Sequence, residues 1–206
     1  MAKRPQALEC DSEDYDVITR AIHAIPESND GMTCEIGLRR GGGTKCIIDA
    51  LAGHDLPCNV HVAIDPYGNL VYQAKEGMSR RSDYTNAMRD QSIGPIYAYA
   101  MRMGVNFVFI NLDDSEFFKR YADGVPVYDE HKHTLSEYVF VHFDGPHWFE
   151  PLRDEFLWFD ARMTSGATIV FDDIQVYDHN KLEERVLSRG WRLIETRGRK
   201  ASYQKR

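Results

Sequence analysis

The chain has 206 residues, of which 43% are apolar and 28% charged, and its net charge is −7. One compact domain with a substantial core is expected, and a surface that repels phosphate backbones argues against DNA or RNA as a partner. The N-terminal MAKRPQALECDSEDYD lacks the apolar centre of a signal peptide and no stretch nears the roughly twenty apolar residues of a membrane span, so a cytoplasmic protein with no membrane partner is expected.

In chain order, residues 1–30 read as a lead-in whose helix, Glu13 to Ile25, carries Tyr15, Val17, Ile18, Ala21 and Ile25 on one face and stops at Pro26. Met32 to Ile36 is a strand, a glycine turn follows, and Thr44 to Leu51 is a helix with Ile47, Ile48 and Leu51 inward. Asn59 to Asp65 alternates as a second strand and closes a βαβ unit. Residues 66–104 exceed what a simple crossover needs. Their first part reads as a loop or flap and their second as a crossover helix that Pro95 starts at a first-turn position.

Val105 to Ile110 is the third strand, and DDSEFFKRYA a helix capped by Asp113 or Asp114. After a polar stretch from Tyr128 to Ser136 come a fourth strand, Tyr138 to Asp144, and a helix with Leu152, Phe156, Phe159 and Met163 on one face. Ala167 to Asp173 is the fifth strand, a helix runs from His179 to Ser188, and WRLIET with ASYQKR supplies a closing pair. Alternating strands and helices predict an α/β, Rossmann-like doubly wound and mostly parallel seven-stranded sheet with an antiparallel edge strand. The basic residues Arg197, Arg199, Lys200, Lys205 and Arg206 read as a solvated end, and Cys10, Cys34, Cys46 and Cys58 as reduced, mostly buried thiols.

Chemistry concentrates in two places. The run MTCEIGLRRGGGT lacks the lysine, at Gly43, that a phosphate-cradling loop needs, and the glycine, at Arg39, of a dinucleotide fingerprint. An acid beside a glycine turn suits a ligand with hydroxyl and amino groups. At the strand ends stand Asp65, Asp113, Asp114, Asp144, Asp172 and Asp173. In open α/β sheets ligands bind outside those ends. Asp144, Asp172 and Asp173 converge if the fourth and fifth strands are neighbours, and a hard divalent cation is the simplest compensation for carboxylates that repel.

E-x-G-x-x-x-G-G after a strand, with HFDGPH and TIVFDDI downstream, resembles the class I S-adenosylmethionine-dependent methyltransferases. Within them it is similar to the metal-dependent O-methyltransferases of the macrocin group and, more remotely, the catechol group. The resemblance implies S-adenosylmethionine as cofactor, with Glu35, Gly37, Gly41 and Gly42 at its methionine part and Thr44 or backbone amides at its carboxylate, since Gly43 stands where relatives often have serine. It places Asp65 at the ribose, Asp114 and Ser115 at the adenine, and Mg²⁺ or another divalent cation on Asp144, Asp172 and Asp173. His147, three residues after Asp144, falls where the catechol branch has its general-base lysine; Asp144 is its catalytic companion. His142 reads as packed or sheet-facing, and His131 and His133 as solvated.

The expected activity is methyl transfer to a hydroxyl of a small molecule, a sugar or catechol-like vicinal diol, with no nucleic acid partner and with homo-oligomers left open. A metal-dependent hydrolase built on the acids and a non-catalytic cofactor-binding module are the alternatives.

Overall fold

The computed structural model describes residues 7–10, 12–75, 78–128 and 130–206. Residues 1–6 and 11 of the lead-in, 76–77 of the 66–104 segment and 129 of the polar stretch lie outside the described residues. The elements are α1 (Asp16–His23), β1 (Met32–Ile36), α2 (Gly42–Ala52), β2 (Val60–Ile64), β3 (Val71–Lys75), β4 (Met78–Arg81), α3 (Asn86–Arg102), β5 (Asn106–Ile110), α4 (Asp114–Arg120), β6 (Val125–Tyr128), β7 (Lys132–Leu135), β8 (Tyr138–Phe143), α5 (Phe149–Asp160), β9 (Met163–Phe171), α6 (His179–Ser188), β10 (Trp191–Arg197) and β11 (Lys200–Lys205).

Seven strands form one sheet in the order β10-β11-β9-β8-β1-β2-β5. β1 pairs in parallel with β2 and β8, β2 with β5 and β8 with β9. The reversed strand belongs to the edge pair: β11 runs antiparallel to both β9 and β10. Both faces are covered. Val17, Ile18, Ile47, Ile48 and Ile96 from α1 to α3 pack against Ala63, Phe140 and Val170. Phe117, Leu152, Phe156, Phe159 and Leu182 from α4 to α6 pack against Val62, Val141, Phe143 and Phe171. Strands buried on both sides need no polar alternation, and for that reason YVFVHF reads as an almost unbroken apolar run.

The chain leaves β1 outward through β2 and β5, then returns across the sheet to β8. The β1/β8 junction is therefore the point where connections diverge and a crevice opens. Ladder bonds continue past the strand ends there: Asp144 N–H donates to Ile36 O at 3.0 Å and Asp172 N–H to Phe143 O at 3.0 Å.

Two expectations need correction. Pro95 lies inside α3, which Thr85 starts ten residues upstream by accepting a hydrogen bond from Met88 N–H. The missing proline N–H leaves the Gln91 carbonyl without its helical donor, and Gln91 is exposed, so water can replace it. The loop after Pro66 and the polar stretch before β8 instead form hairpins, β3-β4 and β6-β7. Their apolar periodicity is too short to announce strands.

Candidate active site

The crevice at the strand ends is a cavity of about 680 Å³. Ile36, Gly37, Ile64, Asp65, Asp114, Ser115, Phe118, Asp144, His147 and Trp148 are among its walls. A second cavity of about 570 Å³ adjoins it, lined by Arg39, Tyr72, Arg80, Arg81, Asp83, Tyr84, His147, Asp173 and Val176. Tyr72, Tyr84 and His147 border both.

Of the glycine-loop residues, Gly37 lines the larger cavity, whereas Glu35, Gly41, Gly42 and Thr44 are not among its lining residues. Glycine at position 37 also has a reason within the fold. Its φ is +91°, and a Cβ there would lie 2.2 Å from the Asp144 carbonyl oxygen. Two loops of the protein touch at Gly37, so the close approach is of backbone to backbone. Gly41 begins α2 in the left-handed conformation, φ +83°, and its missing side chain makes room for Ile96.

Asp65, expected at a ribose, has both oxygens engaged by backbone. Leu38 N–H and Arg39 N–H each donate to Oδ2 at 3.0 Å, and Tyr67 N–H to Oδ1 at 2.8 Å. Burial raises its pKa against the lowering effect of those amides. Asp65 thus ties the glycine loop to the end of β2. Asp113 caps α4 by accepting from Glu116 N–H at 2.9 Å, and the Ser115 hydroxyl donates to the same carboxylate at 2.7 Å.

Glu35 is buried in a polar chain that crosses the sheet beneath the crevice. The register of β1 on β8 sets Glu35 opposite His142. The Thr44 hydroxyl donates to Glu35 Oε2 at 2.5 Å, and His142 Nδ1 lies 3.0 Å from Glu35 Oε1. His142 Nε2 is 3.8 Å from Asp172 Oδ2, which accepts a 2.5 Å hydrogen bond from Lys200 Nζ. Lys200 is fully buried, and its Nζ also lies 3.2 Å from the Ser12 hydroxyl. Burial works against a charged His142, but Asp172 and Glu35 outweigh it and its pKa is raised to about 9. Asp172 is held well below the usual carboxylate range; burial opposes this, and His142 and Lys200 prevail.

The expected acidic convergence is real in place and different in charge. β8 and β9 are neighbours, yet Arg199 Nε donates to Asp173 Oδ1 at 2.7 Å while Lys200 and His142 hold Asp172. Asp173, expected as a metal ligand, is paired with a guanidinium. Side-chain cations thus stand beside Asp172 and Asp173, while among the described residues Asp144 has only His147, at 3.8 Å, as an ion-pair neighbour. The three side chains whose ligand atoms lie within 4.8 Å of one another are His142, Asp144 and Asp172, and His142 Nε2 is buried without a hydrogen-bond partner.

His147 closes the site from the loop after β8. Its Nε2 lies 3.4 Å from Asp173 Oδ2 and 3.8 Å from Asp144 Oδ1 and has no hydrogen-bond partner. Burial disfavours its charged form, but Asp144 and then Asp173 more than offset this and the pKa is raised.

His142, Arg199 and Lys200 escaped the sequence reading. A tail rich in arginine and lysine looks solvated, and only the antiparallel placement of β11 beside β9 carries Lys200 to Asp172. His131 and His133 are exposed, as expected. Among the cysteines Cys34 is buried, Cys46 and Cys58 are half-buried and Cys10 is exposed. No helix among the described residues is long and apolar enough to cross a membrane.

The sequence profile of a family described as a methyltransferase domain matches residues 34–174, from β1 to the loop that carries Asp172 and Asp173. No curated protein is similar in sequence. Among solved structures, the fold resembles CalS11, described as a TDP-rhamnose 3'-O-methyltransferase of calicheamicin biosynthesis. That likeness has a TM-score of 0.60 at 14% identity, over 92% of this chain and 76% of that one. A precorrin-6y C5,15-methyltransferase from Geobacter metallireducens GS-15 has a TM-score of 0.57 at 11% identity, over 99% and 95% of the two chains. The O-methyltransferase NovP has 0.55 at 16%, over 93% and 78%. At these identities the likeness carries the fold.

Proposed function

Because the chain belongs to the methyltransferase domain family, we propose that it transfers a methyl group from S-adenosylmethionine to a hydroxyl of a small, anionic acceptor. The observation that carries this reading is the pair of adjoining cavities with His147 on their common wall. The larger, at about 680 Å³, is of the size that encloses a cofactor. It combines apolar walls (Ile36, Ile64, Phe118) with the polar groups of Asp114 and Ser115. The smaller gathers Arg39, Arg80 and Arg81 with Asp83 and Asp173, Arg39 lying 3.9 Å from Asp83, so basic groups are in excess there in a protein whose net charge is −7. Arg80 uses Nε on the Tyr72 hydroxyl and Arg81 uses Nη1 on the Asn69 carbonyl, which leaves planar donor edges suited to a phosphate or carboxylate. A sugar hydroxyl near such an anion is the acceptor class favoured here, and the description of CalS11 as a TDP-rhamnose enzyme is in keeping with it.

Methyl transfer needs an oxygen nucleophile in line with the sulfonium methyl, so positioning dominates. The acceptor oxygen forms the new bond to carbon as the carbon–sulfur bond breaks toward sulfur, and its proton passes to His147 Nε2. The neighbouring Asp144 and Asp173 carboxylates stabilise the imidazolium that results. A divalent cation would be held by His142 Nε2, Asp144 and Asp172, with Glu35 on Nδ1 orienting the ring, and would have to displace the proton that Asp172 and Glu35 favour on His142 and compete with Lys200 for Asp172. A nitrogen ligand suits Mn²⁺ or Zn²⁺ better than Mg²⁺, which prefers oxygen. Such an ion, when bound, would supply Lewis acidity that eases deprotonation of the acceptor hydroxyl.

The test is calorimetry with S-adenosylhomocysteine, followed by labelled methyl transfer to hydroxylated acceptors with and without a phosphate or carboxylate. Binding of the thioether and methylation confined to anionic acceptors are expected. No binding in a folded protein ends the methyltransferase reading. Equal rates on neutral acceptors, or an Arg80→Ala/Arg81→Ala variant with an unchanged KM, end the anionic one.

A further inference from the structure

We propose that Glu155 recognises the adenine ring of the methyl donor through its Watson–Crick edge, one carboxyl oxygen accepting from the N6 amino group and the other donating to N1. The inference rests on the methyltransferase reading and adds a residue that neither the glycine loop nor the strand-end acids contain.

Glu155 sits on the inward stripe of α5 with Leu152, Phe156 and Phe159, all of them buried. The residue has no exposed surface, and neither Oε1 nor Oε2 has a hydrogen-bond partner. It nevertheless lines the 680 Å³ cavity, where Oε1 lies 3.5 Å from the position a Cβ on Gly145 would take. Leaving a buried polar group unsatisfied is costly, because it gives up hydration without gaining a partner. Folds rarely carry such groups without a use, and an incoming ligand is one. A leucine in that stripe would only enlarge the core.

Two observations select the ligand edge. Burial, and after it the charge of Asp114, push the Glu155 carboxyl well above its ordinary range. A neutral acid offers one donor and one acceptor side by side, the complement of adenine N1 and N6. An ammonium group, such as that of the methionine moiety, calls for an ionised carboxylate instead. Asp114 and Ser115 line the same cavity at the end of β5, and Phe118 and Trp148 supply flat apolar walls for a ring.

The experiment is calorimetric titration of S-adenosylhomocysteine and S-(1-deazaadenosyl)homocysteine into the wild type, Glu155→Gln and Glu155→Leu. The 1-deaza analogue keeps the N6 amino group but has a C–H in place of N1, so the carboxyl O–H loses its acceptor whichever oxygen carries the proton. The wild type is expected to favour the adenosine form by about 10-fold or more, the scale on which a buried donor left unpaired is felt. Glutamine, with an amide N–H and C=O in the same places, should keep that preference. Leucine should bring it close to unity. A folded Glu155→Leu protein with the wild-type preference overturns the proposal while leaving the methyltransferase reading intact. A glutamine variant that loses about 30-fold or more in adenosine affinity does the same, because an ionised carboxylate is then the working form. A wild type that binds neither thioether removes the methyltransferase reading itself.

Discussion

Replacing Gly37 by alanine should damage the protein before any ligand is added. The φ of +91° is left-handed, and the new Cβ would lie 2.2 Å from the Asp144 carbonyl oxygen and 2.8 Å from its carbonyl carbon. Holding a side chain in that backbone region costs about 1 to 2 kcal/mol. Relieving the overlap means moving the Asp144 peptide, and with it the 3.0 Å bond from Asp144 N–H to Ile36 O, at about 1 kcal/mol for the bond and about 1 to 3 for overpacking. The expected loss is about 3 to 6 kcal/mol, a large part of the roughly 5 to 15 that stabilises a typical domain. Urea denaturation measures it, with Gly53→Ala as the control. Gly53 follows α2 with φ −102°, and a Cβ there would meet nothing closer than 3.6 Å, so that variant should gain about 0.4 to 1 kcal/mol. A Gly37→Ala midpoint equal to wild type would refute the argument. A weakened affinity for S-adenosylhomocysteine in this variant reports displacement of Asp144, and by itself says nothing about contact between Gly37 and the ligand.

His147→Ala should lower turnover by about a hundredfold or more with unchanged S-adenosylhomocysteine affinity. Since the His147 pKa is raised and only the neutral ring accepts a proton, the wild-type rate should climb with pH through a midpoint above the ordinary value of about 6.5; a flat profile sinks the base assignment. Mn²⁺ titration followed by electron paramagnetic resonance should show one bound ion that His142→Ala and Asp144→Asn abolish and Asp173→Asn retains. Loss in Asp173→Asn alone would restore the all-carboxylate set. Asp160, buried at the end of α5, accepts from Trp191 Nε1 at 2.9 Å and Arg189 Nε at 2.7 Å and lies 3.1 Å from Lys205 Nζ. Its removal as Asp160→Asn should cost about 2 to 4 kcal/mol near pH 7. Burial opposes ionisation there, but Trp191, Arg189 and Lys205 prevail and depress the pKa. The stabilisation is therefore complete above the unfolded value of about 3.9 and fades as pH falls through the lower folded one. A wild-type advantage that persists undiminished at pH 2 would contradict this.

The sheet and its helices were legible in the sequence because they rest on local periodicity. β1 and α6 fall at the expected residues, and the apolar runs of β8 and β9 mark central strands. The strand-end rule likewise located Asp65, Asp144 and Asp172 at one edge before any contact was known. What those residues do was decided by the tertiary structure. Asp65 became a loop anchor because three amides converge on it. Asp172 became the partner of Lys200, 28 positions away, because β11 runs back alongside β9. A carboxylate's role depends on its nearest opposite charge or donor. Sheet register brings that group from elsewhere in the chain, at a separation that no local pattern of residues records.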